Sequence, residues 1–545
     1  MRKYINSKLF LLIIITVAAF LRFYQLGINP PGLNWDEAAW AYNSYSLGID
    51  GKDEFGKLPV SYLESYGDYK PPLYAYLGVL PIKIFGLDAF GTRFPSAFFG
   101  VLTVLLVYFL VKEVFFKNKT EPKIESTALM ASFFLAISPW HIMLSRGAFE
   151  ANVSTFFIIL GIYFFLRAVN KNIWLLIFSA ASFAASFYTF NTARIFVPLI
   201  VLFIAFMFRK NLFAAKKQVL VSLLVGFILV LPLVPFLFSP QAKLRYQEVN
   251  IFSDINIVKT TNQEIANDHG VFWSKVIHNR RIAYGREFLK HYFDNLNPGF
   301  LFITGDGNPR FSTQDTGQMY LWDLPFLLVG LYILFRKKKG YYWLLPVWLL
   351  LGIIPAATAR ETPHALRIET VIPTLQIITA YGFITFLFYF KKYRKVVKVL
   401  FLIALFLNFY YFYHGYMTHY AREYSSEWQY PYREAVSYIQ DEKHKFDKIV
   451  ITEALGRPYI YFLTYGKFDP KEFRKEAKIE REVFGFVHVR SFDKYKFEND
   501  INLNKLSANT LYLDVPRNLT INAKIVKTFY LMDGKPAFIA YETYK

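Results

Sequence analysis

The stretch Asn34-Trp35-Asp36-Glu37 directly follows the first long apolar run of this chain, and Gly67-Asp68-Tyr69-Lys70-Pro71-Pro72-Leu73-Tyr74 lies further along the same polar segment. Two adjacent carboxylates therefore stand where an apolar segment ends. Ionised groups near a bilayer are costly and tend to be kept for a task. This position makes Asp36 and Glu37 the first candidates for a functional site.

The composition indicates a membrane protein. The chain has 545 residues, of which 54% are hydrophobic and 19% aromatic, and its mean hydropathy is +0.25. These values are too apolar for a soluble protein. Long apolar runs recur, and most approach the ~20 residues that a helix needs to cross a ~30 Å hydrocarbon core. They lie at 9–21, 94–111, 153–166, 219–238, 324–335 and 370–390. Backbone amides in lipid must bond internally, which predicts helices.

The formal net charge of +21 describes orientation in the membrane. Lysine and arginine collect in short segments between apolar runs, and the acidic residues lie in the alternate loops. The positive-inside rule then places the basic segments in the cytoplasm and argues against a nucleic-acid partner. These segments are 117–123, 167–171, 209–217, 336–339 and 391–398. The chain contains no cysteine, which excludes disulfides and thiol chemistry.

Placing each basic segment in the cytoplasm predicts eleven spans. We expect a multi-pass protein of the plasma membrane with a cytoplasmic N-terminus and an extracytoplasmic C-terminal domain. The first run is expected to be a retained span, because no small-residue cleavage site follows it. The shortest predicted spans are 194–209 and 320–335. All eleven lie near 9–26, 93–116, 125–143, 150–168, 172–190, 194–209, 218–238, 320–335, 341–358, 366–390 and 396–414.

Two domains are predicted. Residues 1–414 form the transmembrane domain, with a first external loop at 27–92 and a long external loop at 239–319. Residues 72–87 fit a juxtamembrane helix, since Pro81 and Lys83 interrupt the apolar sequence. Residues 415–545 change to a mixed pattern typical of a small external α/β domain. We expect a helix at 431–440, strands at 447–452 and 510–515, and a hairpin at 524–541 around Asp533-Gly534.

Polar residues at the predicted external ends of the spans could gather around one cavity. Acidic and basic groups there suit transfer from an anionic lipid headgroup to a hydroxyl. A carboxylate would accept the proton of the attacking hydroxyl, and cations would hold the departing phosphate. The candidates are Asp36, Glu37, Asp68, Lys70, Arg146, Glu150, Arg360, His364 and Arg367.

Structural roles for the same residues stay open. Asp36 and Glu37 could cap the next helix, and Arg146 could be an interfacial anchor. Glu150 opens a predicted span, where the helix dipole favours an acid without any function. The turn at 360–367 could simply be solvated.

These residues carry a resemblance to a known family. Trp35-Asp36-Glu37, Asp68-Tyr69-Lys70-Pro71-Pro72-Leu73, Arg93-Phe94-Pro95, and Arg146 with Glu150 resemble the protein O-mannosyltransferase and lipid A aminoarabinose transferase group, which has the GT-C fold. The resemblance covers residues 1–170 well, whereas the remaining spans agree mainly in topology.

The resemblance implies an integral membrane glycosyltransferase. Such enzymes take a sugar from a polyprenyl-phosphate donor at the external face and invert the anomeric centre. It implies that Asp36 is the catalytic base, that Glu150 is a second acidic site residue and that Asp68 contributes to the site. Tyr69 stands where the aminoarabinose transferases have a metal-binding glutamate, so no cofactor is assigned and a divalent metal ion stays open. The sugar and the acceptor, whether protein, lipid or glycan, also stay open.

Three other functions were weighed. A transporter or lipid flippase would use the polar residues to line a path, but it would be expected to show paired halves with broken helices at the midplane, and no internal repeat is found. A glycan ligase is disfavoured because Trp-Trp-Asp-Tyr-Gly is absent from the sequence and the predicted external loops contain no Asp-x-Asp. A membrane-anchored binding protein would not need eleven spans.

Overall fold

The computed structural model describes residues 2–115, 124–336, 341–482, 487–519 and 523–543, without the side chains of 2–6 and 244–245. The predicted basic segment 117–123 and most of 336–339 lie outside the described residues.

Helices account for most of the chain up to residue 442. The N-terminal helices are α1 (Arg2–Phe23), α2 (Trp35–Asp50), α3 (Leu73–Phe85), α4 (Ala89–Val114), α5 (Ile124–Ile137), α6 (Pro139–Arg146), α7 (Glu150–Asn170), α8 (Leu176–Phe187), α9 (Ala193–Met207), α10 (Arg209–Ala214), α11 (Lys216–Val230) and α12 (Val234–Leu237). The predicted long loop contains α13 (Pro240–Val249), α14 (Ile255–Asn267), α15 (Phe272–Ile277), α16 (Arg280–Asp294) and α17 (Pro298–Phe302). The remaining helices are α18 (Asp323–Arg336), α19 (Leu344–Ala357), α20 (Thr374–Tyr389), α21 (Arg394–His414), α22 (Tyr420–Glu423), α23 (Pro431–Glu442), α24 (Pro458–Tyr465) and α25 (Pro470–Glu476).

The strands form one hairpin and one larger sheet. In the hairpin, β1 (Leu63–Ser65) pairs antiparallel with β2 (Asp68–Lys70). The sheet has the order β4-β5-β6-β3-β7-β9-β8, and β3 is parallel to both β6 and β7. Its strands are β3 (Lys448–Thr452), β4 (Lys478–Arg481), β5 (Val487–Phe492), β6 (Tyr495–Glu498), β7 (Thr510–Asp514), β8 (Ala523–Tyr530) and β9 (Pro536–Thr543). The helix, both strands and the hairpin predicted for this region are confirmed.

Five helices in the described part of the chain are long and apolar enough to cross a membrane. A sixth candidate is the pair α5 and α6, which bends by 56° at Pro139. These segments make the chain a multi-pass membrane protein. Eleven spans are not confirmed, because the helical segments Ile173–Phe187, Ala193–Met207 and Leu344–Ala357 are shorter than a full crossing requires. The five are Ala89–Val114, Glu150–Asn170, Lys216–Leu237, Glu369–Tyr389 and Lys391–Glu423. The orientation of the termini stays a prediction.

The chain divides into two compact units. The first contains Met1–Arg22, Phe99–Leu144 and Glu150–Phe412, and in it α7 packs on α8 and α18 on α20. The second contains Phe23–Phe98, Ser145–Phe149 and Tyr413–Lys545. The predicted division at residue 415 stays a prediction, although the first loop and the C-terminal sheet lie together in the second unit.

One apolar core joins the first loop to the C-terminal sheet within the second unit. Tyr42 of α2 is buried in the same cluster as Val436 of α23, Ile449 of β3 and Phe462 of α24. Helix α2 packs directly on α24. The sheet region therefore helps to support helix α2, which carries Asp36.

Candidate active site around Asp36

Helix α2 begins at Trp35, one residue before the acidic pair, because Asn34 caps it. The Asn34 side-chain oxygen accepts hydrogen bonds from the backbone N–H of Asp36 at 2.9 Å and of Glu37 at 3.0 Å. The Glu37 carboxylate accepts the backbone N–H of Asn34 in return, which completes a capping box. Both carboxylates therefore lie in the first helical turn, where the helix dipole favours negative charge.

Asp36 is the accessible member of the pair, with a side chain that is 42% exposed. Its Oδ1 accepts hydrogen bonds from the Lys70 ammonium and from the Tyr66 hydroxyl. Lys70 is 7% exposed, and its Nζ lies 5.2 Å from the centroid of the Trp40 ring. An ammonium beside a carboxylate favours the ionised form. The arrangement presents a partly exposed carboxylate whose Oδ1 is held by two donors.

Glu37 lies in a different environment, since its side chain is 1% exposed. Arg93 donates to both of its oxygens at 2.8 Å, and the backbone N–H of Ala148 donates to Oε1 at 2.8 Å. A buried carboxylate with these partners supports the loop and the N-terminus of α2. A catalytic role for Glu37 stays a prediction.

The other predicted residues of the second unit lie close to these elements. Asp68 opens β2, opposite Ser65 in the hairpin that also carries Lys70. Arg146 is 1% exposed and donates to the backbone carbonyls of Tyr24 at 2.8 Å and Asn29 at 2.7 Å. The position of Arg146 indicates that it holds the segment after α1. Its predicted contact with a phosphate stays a prediction.

Glu150, Arg360, His364 and Arg367 belong to the first unit. Glu150 begins α7 and interacts electrostatically with Glu369, which is fully buried. Arg360 donates to the carbonyl of Gln247 at 3.1 Å, and Arg367 donates to the carbonyl of Glu361 at 3.2 Å. The structure thus places these four in one unit.

The imidazole of His364 is mostly buried, and its ring centroid lies 5.1 Å from that of Phe311, with the two ring planes tilted by 35°. Burial, together with the charges of Arg367 and Arg310, lowers the pKa of His364 well below its ordinary value. The ring is therefore neutral at pH 7. It could donate a hydrogen bond to a phosphate but would bring no positive charge.

Asp306 organises the turn at 360–367 and was not among the predicted site residues. The side chain is 4% exposed and accepts hydrogen bonds from the backbone N–H of Ala365 at 2.6 Å and of Asn308 at 2.8 Å. Burial raises the pKa of Asp306 to about 6. The run Gly305-Asp306-Gly307-Asn308 was a turn signal that could have identified it.

The residues around Asp36 do not fit a metal site. Its Oδ1 already accepts bonds from Lys70 and Tyr66, and an ammonium repels a second cation. Tyr69 offers a phenol where a carboxylate would be needed. In the part of the chain that the structure describes, no group of three or more His, Asp or Glu side chains could hold a metal ion.

Sequence patterns did not indicate two residues that support Asp36. Tyr66 donates to Asp36, and Arg457 places its guanidinium 4.0 Å from the centroid of the Tyr66 ring. Tyr66-Gly67 is readable as a turn, but nothing marks its phenol. Arg457 is 391 positions away from Tyr66, and no local pattern links them.

Comparison with known proteins agrees with the predicted resemblance. The family described as "Dolichyl-phosphate-mannose-protein mannosyltransferase" matches residues 69–236. A curated protein of Bacillus subtilis (strain 168), described as "Putative mannosyltransferase YkcB", is 32% identical over 156 residues, which is 28% of this chain and 20% of that protein. The alignments with curated relatives span 33% and 20% of those proteins' lengths. The resemblance is confirmed for this part of the chain.

Solved structures show the fold over nearly the whole chain. ArnT from Cupriavidus metallidurans bound to undecaprenyl phosphate matches with a TM-score of 0.54 at 10% identity, covering 97% of each chain. The oligosaccharyltransferase of Archaeoglobus fulgidus, tethered with an acceptor peptide, matches with a TM-score of 0.51 at 16% identity, covering 84% of this chain and 63% of that one. The fold is therefore the GT-C fold predicted from the sequence.

Proposed function

We propose that this chain is an integral membrane glycosyltransferase that moves a sugar from a polyprenyl-phosphate donor to an acceptor hydroxyl at the external face of the membrane. The observation that supports this proposal most directly is the accessible carboxylate of Asp36 in the first turn of α2, beside the Lys70 ammonium. The family match names a lipid-phosphate sugar donor, and ArnT binds undecaprenyl phosphate in a structure of the same fold.

In this proposal Asp36 is the general base. The acceptor oxygen attacks the anomeric carbon while its proton passes to Asp36, and the bond from that carbon to the phosphate oxygen breaks. The electron pair of that bond leaves with the polyprenyl phosphate, which needs no acid because it is already a good leaving group. Attack from the side opposite the phosphate inverts the anomeric centre. A positioned base of this kind contributes about 10²–10⁴-fold to the rate.

The remaining predicted roles are part of the proposal. Asp68 lies on the hairpin with Lys70 and would shape and polarise the site beside Asp36. Arg146, which also holds the segment after α1, would bind the donor phosphate. The predicted functions of Glu150 and of the turn at 360–367 are to be tested by substitution, residue by residue.

The test uses the full-length protein in liposomes with a panel of polyprenyl-phosphate sugars carrying a radiolabel. Wild type is compared with Asp36→Asn and with Asp441→Asn, which removes an equivalent charge from the exposed end of α23. We expect transfer by wild type and Asp441→Asn, and a loss of about 10²–10⁴-fold in Asp36→Asn. The anomeric configuration of the product, read by NMR, tests inversion.

The outcomes separate the alternatives. Equal transfer by Asp36→Asn and wild type would reject Asp36 as the base. If no donor in the panel supports transfer, a transporter or flippase becomes the better hypothesis, and movement of a labelled polyprenyl phosphate across the bilayer is the next measurement.

A further inference from the structure

Tyr66 occupies a backbone position that does not favour it. It is the first residue of the two-residue turn between β1 and β2, with φ of 41°, and Gly67 follows with φ of 84°. A turn with two positive φ values favours Asn, Asp or Gly, and a bulky residue there is an outlier. Such strain persists where surrounding contacts hold it and is concentrated at functional sites. Contacts of the Tyr66 side chain must therefore account for this backbone conformation.

The Tyr66 phenol closes a triangle with the proposed base. Its O–H donates to Asp36 Oδ1, and Lys70 Nζ donates both to the Tyr66 oxygen, at 2.6 Å, and to Asp36 Oδ1. Tyr66 is 3% exposed. Burial, with the nearby negative charge of Asp36, raises the pKa of Tyr66 well above its ordinary value. The phenol therefore stays protonated and remains a hydrogen-bond donor.

A segment from the C-terminal sheet region holds Tyr66 in place. Arg457, between β3 and α24, lies with its guanidinium 4.0 Å from the centroid of the Tyr66 ring and donates from Nη1 to the Tyr66 carbonyl at 2.9 Å. Its neighbour Gly456 lies close to Trp35, the residue before Asp36, since a Cβ added at Gly456 would stand 3.2 Å from Cε3 of Trp35. Of these two adjacent residues, Arg457 contacts the partner of Asp36, and Gly456 leaves little space beside its chain neighbour.

We propose that Tyr66 is a positioning residue that fixes the Asp36 carboxylate, and that Arg457 holds Tyr66 in the orientation this requires. The inference rests on the proposed function, in which Asp36 is the base. It assigns to the C-terminal region a part in the transfer step that needs no contact with donor or acceptor. One carboxylate oxygen is held by the Tyr66 and Lys70 donors, and the fixed orientation of the carboxylate then serves the acceptor hydroxyl.

The experiment measures kcat and KM of sugar transfer against pH for the full-length wild type, Tyr66→Phe, Arg457→Ala, Arg457→Lys and Asp36→Asn in liposomes. Tyr66→Phe keeps the ring and removes only the donor. Losing a hydrogen bond to a charged group is worth about tenfold or more in an equilibrium, so kcat should fall about 10–100-fold. The acidic limb of the kcat/KM profile should move up by about one pH unit, because the carboxylate loses a donor that favours its charged form. KM for the donor sugar should stay within twofold.

The controls separate positioning from folding. Tyr76→Phe removes another hydroxyl of the same segment, one that donates to the Pro59 carbonyl at 3.3 Å, and should leave kcat and the pH profile unchanged. Arg457→Ala should shift the acidic limb in the same direction as Tyr66→Phe. Arg457→Lys keeps a cation over the ring and should restore part of kcat.

Each result decides the inference. A pH profile of Tyr66→Phe that superimposes on wild type, in a protein that is folded by its melting temperature, overturns the positioning role. An inactive Asp36→Asn in the same series would then leave the proposed function standing. Full activity of Asp36→Asn rejects the proposed function itself, so the two failures are distinguishable. If Tyr66→Phe does not fold, the shift expected for Arg457→Ala and its partial rescue by Arg457→Lys decide in its place, and an unshifted profile there overturns the inference.

Discussion

Arg93 forms a bidentate ion pair with Glu37, in which Nε donates to Oε1 and Nη2 donates to Oε2, each at 2.8 Å. Both side chains are excluded from solvent. Three further hydrogen bonds run from the same guanidinium to the carbonyls of Leu26, Pro30 and Gly32. One side chain therefore fixes the whole connection between α1 and α2. Asp36 is the residue next to Glu37 in the first turn of α2, so we expect its position to depend on this pair.

Breaking the pair is expected to destabilise the protein strongly. Glu37→Gln leaves the Arg93 charge buried without its counter-charge, which costs about 3–5 kcal/mol. The melting temperature of the purified protein in detergent should fall clearly. The matched control is Glu442→Gln, since Glu442 pairs with Lys445 at the surface and an exposed pair is worth about 0–1 kcal/mol. A Glu37→Gln protein with the same melting temperature as wild type would show that the pair does not stabilise this connection.

Secondary-structure elements that depend on local sequence patterns were predicted correctly. Strands β3 and β7 and the β8-β9 hairpin follow from alternating apolar residues and from the Asp533-Gly534 turn. The carboxylate pair was recognisable because an apolar run ends beside it. Asn34 and Glu37 also carry the spacing of a capping box, so a structural role for Glu37 was an open alternative from the start.

What depends on distant residues could not be predicted. The contact of Arg457 with Tyr66 joins segments 391 positions apart. Hydropathy alone could not give the number of spans, because helices such as Ala193–Met207 and Leu344–Ala357 are apolar but short, and the segment predicted as 125–143 contains two helices that meet at an angle of 56°. Length and tertiary packing decide whether such helices cross a membrane.

Glu54 should make stability depend on pH. Its side chain is buried in the second unit, where the Tyr459 hydroxyl donates to Oε1 at 3.3 Å, and burial raises the pKa of Glu54 from 4.5 to about 8. Between these values the folded protein holds a proton that the unfolded chain has lost. The free energy of unfolding therefore falls as pH rises, by roughly 1.4 kcal/mol per pH unit from this group.

The variant Glu54→Gln tests this pH dependence. A glutamine resembles the neutral acid and does not titrate, so the variant should gain stability relative to wild type as pH rises from 5 to 8. Melting temperatures of both proteins at several pH values give the difference in stability directly. The contributions of the other titrating groups cancel in this difference. A constant difference across this range would contradict a raised pKa for Glu54.

Sugar transfer is expected to be independent of divalent metal ions. Lys70 already supplies the positive charge beside Asp36, and Tyr69 offers no carboxylate ligand. EDTA should therefore leave the rate of transfer by wild type in liposomes unchanged, and added Mg²⁺ or Mn²⁺ should not raise it. A loss of activity in EDTA that is restored by one of these ions would contradict the expectation and direct attention to Glu150 and Glu369 of the first unit.

A methyl group added at Gly456 should lower both stability and activity, whereas one added at Gly534 should lower only stability. The φ of Gly456, 107°, is unfavourable for any L side chain, and a Cβ there would lie 3.2 Å from Cε3 of Trp35. Gly534 also has a positive φ, 89°, but no heavy atom lies within 4 Å of its added Cβ. Both Gly456→Ala and Gly534→Ala carry a backbone cost of about 1–2 kcal/mol, so both should lower the melting temperature. Only Gly456→Ala presses on the residue before Asp36, and only it should lower the kcat of sugar transfer, by about tenfold or more given how steeply rate depends on placement. Equal kcat in the two variants would show that crowding of Trp35 by a side chain at position 456 does not influence the site.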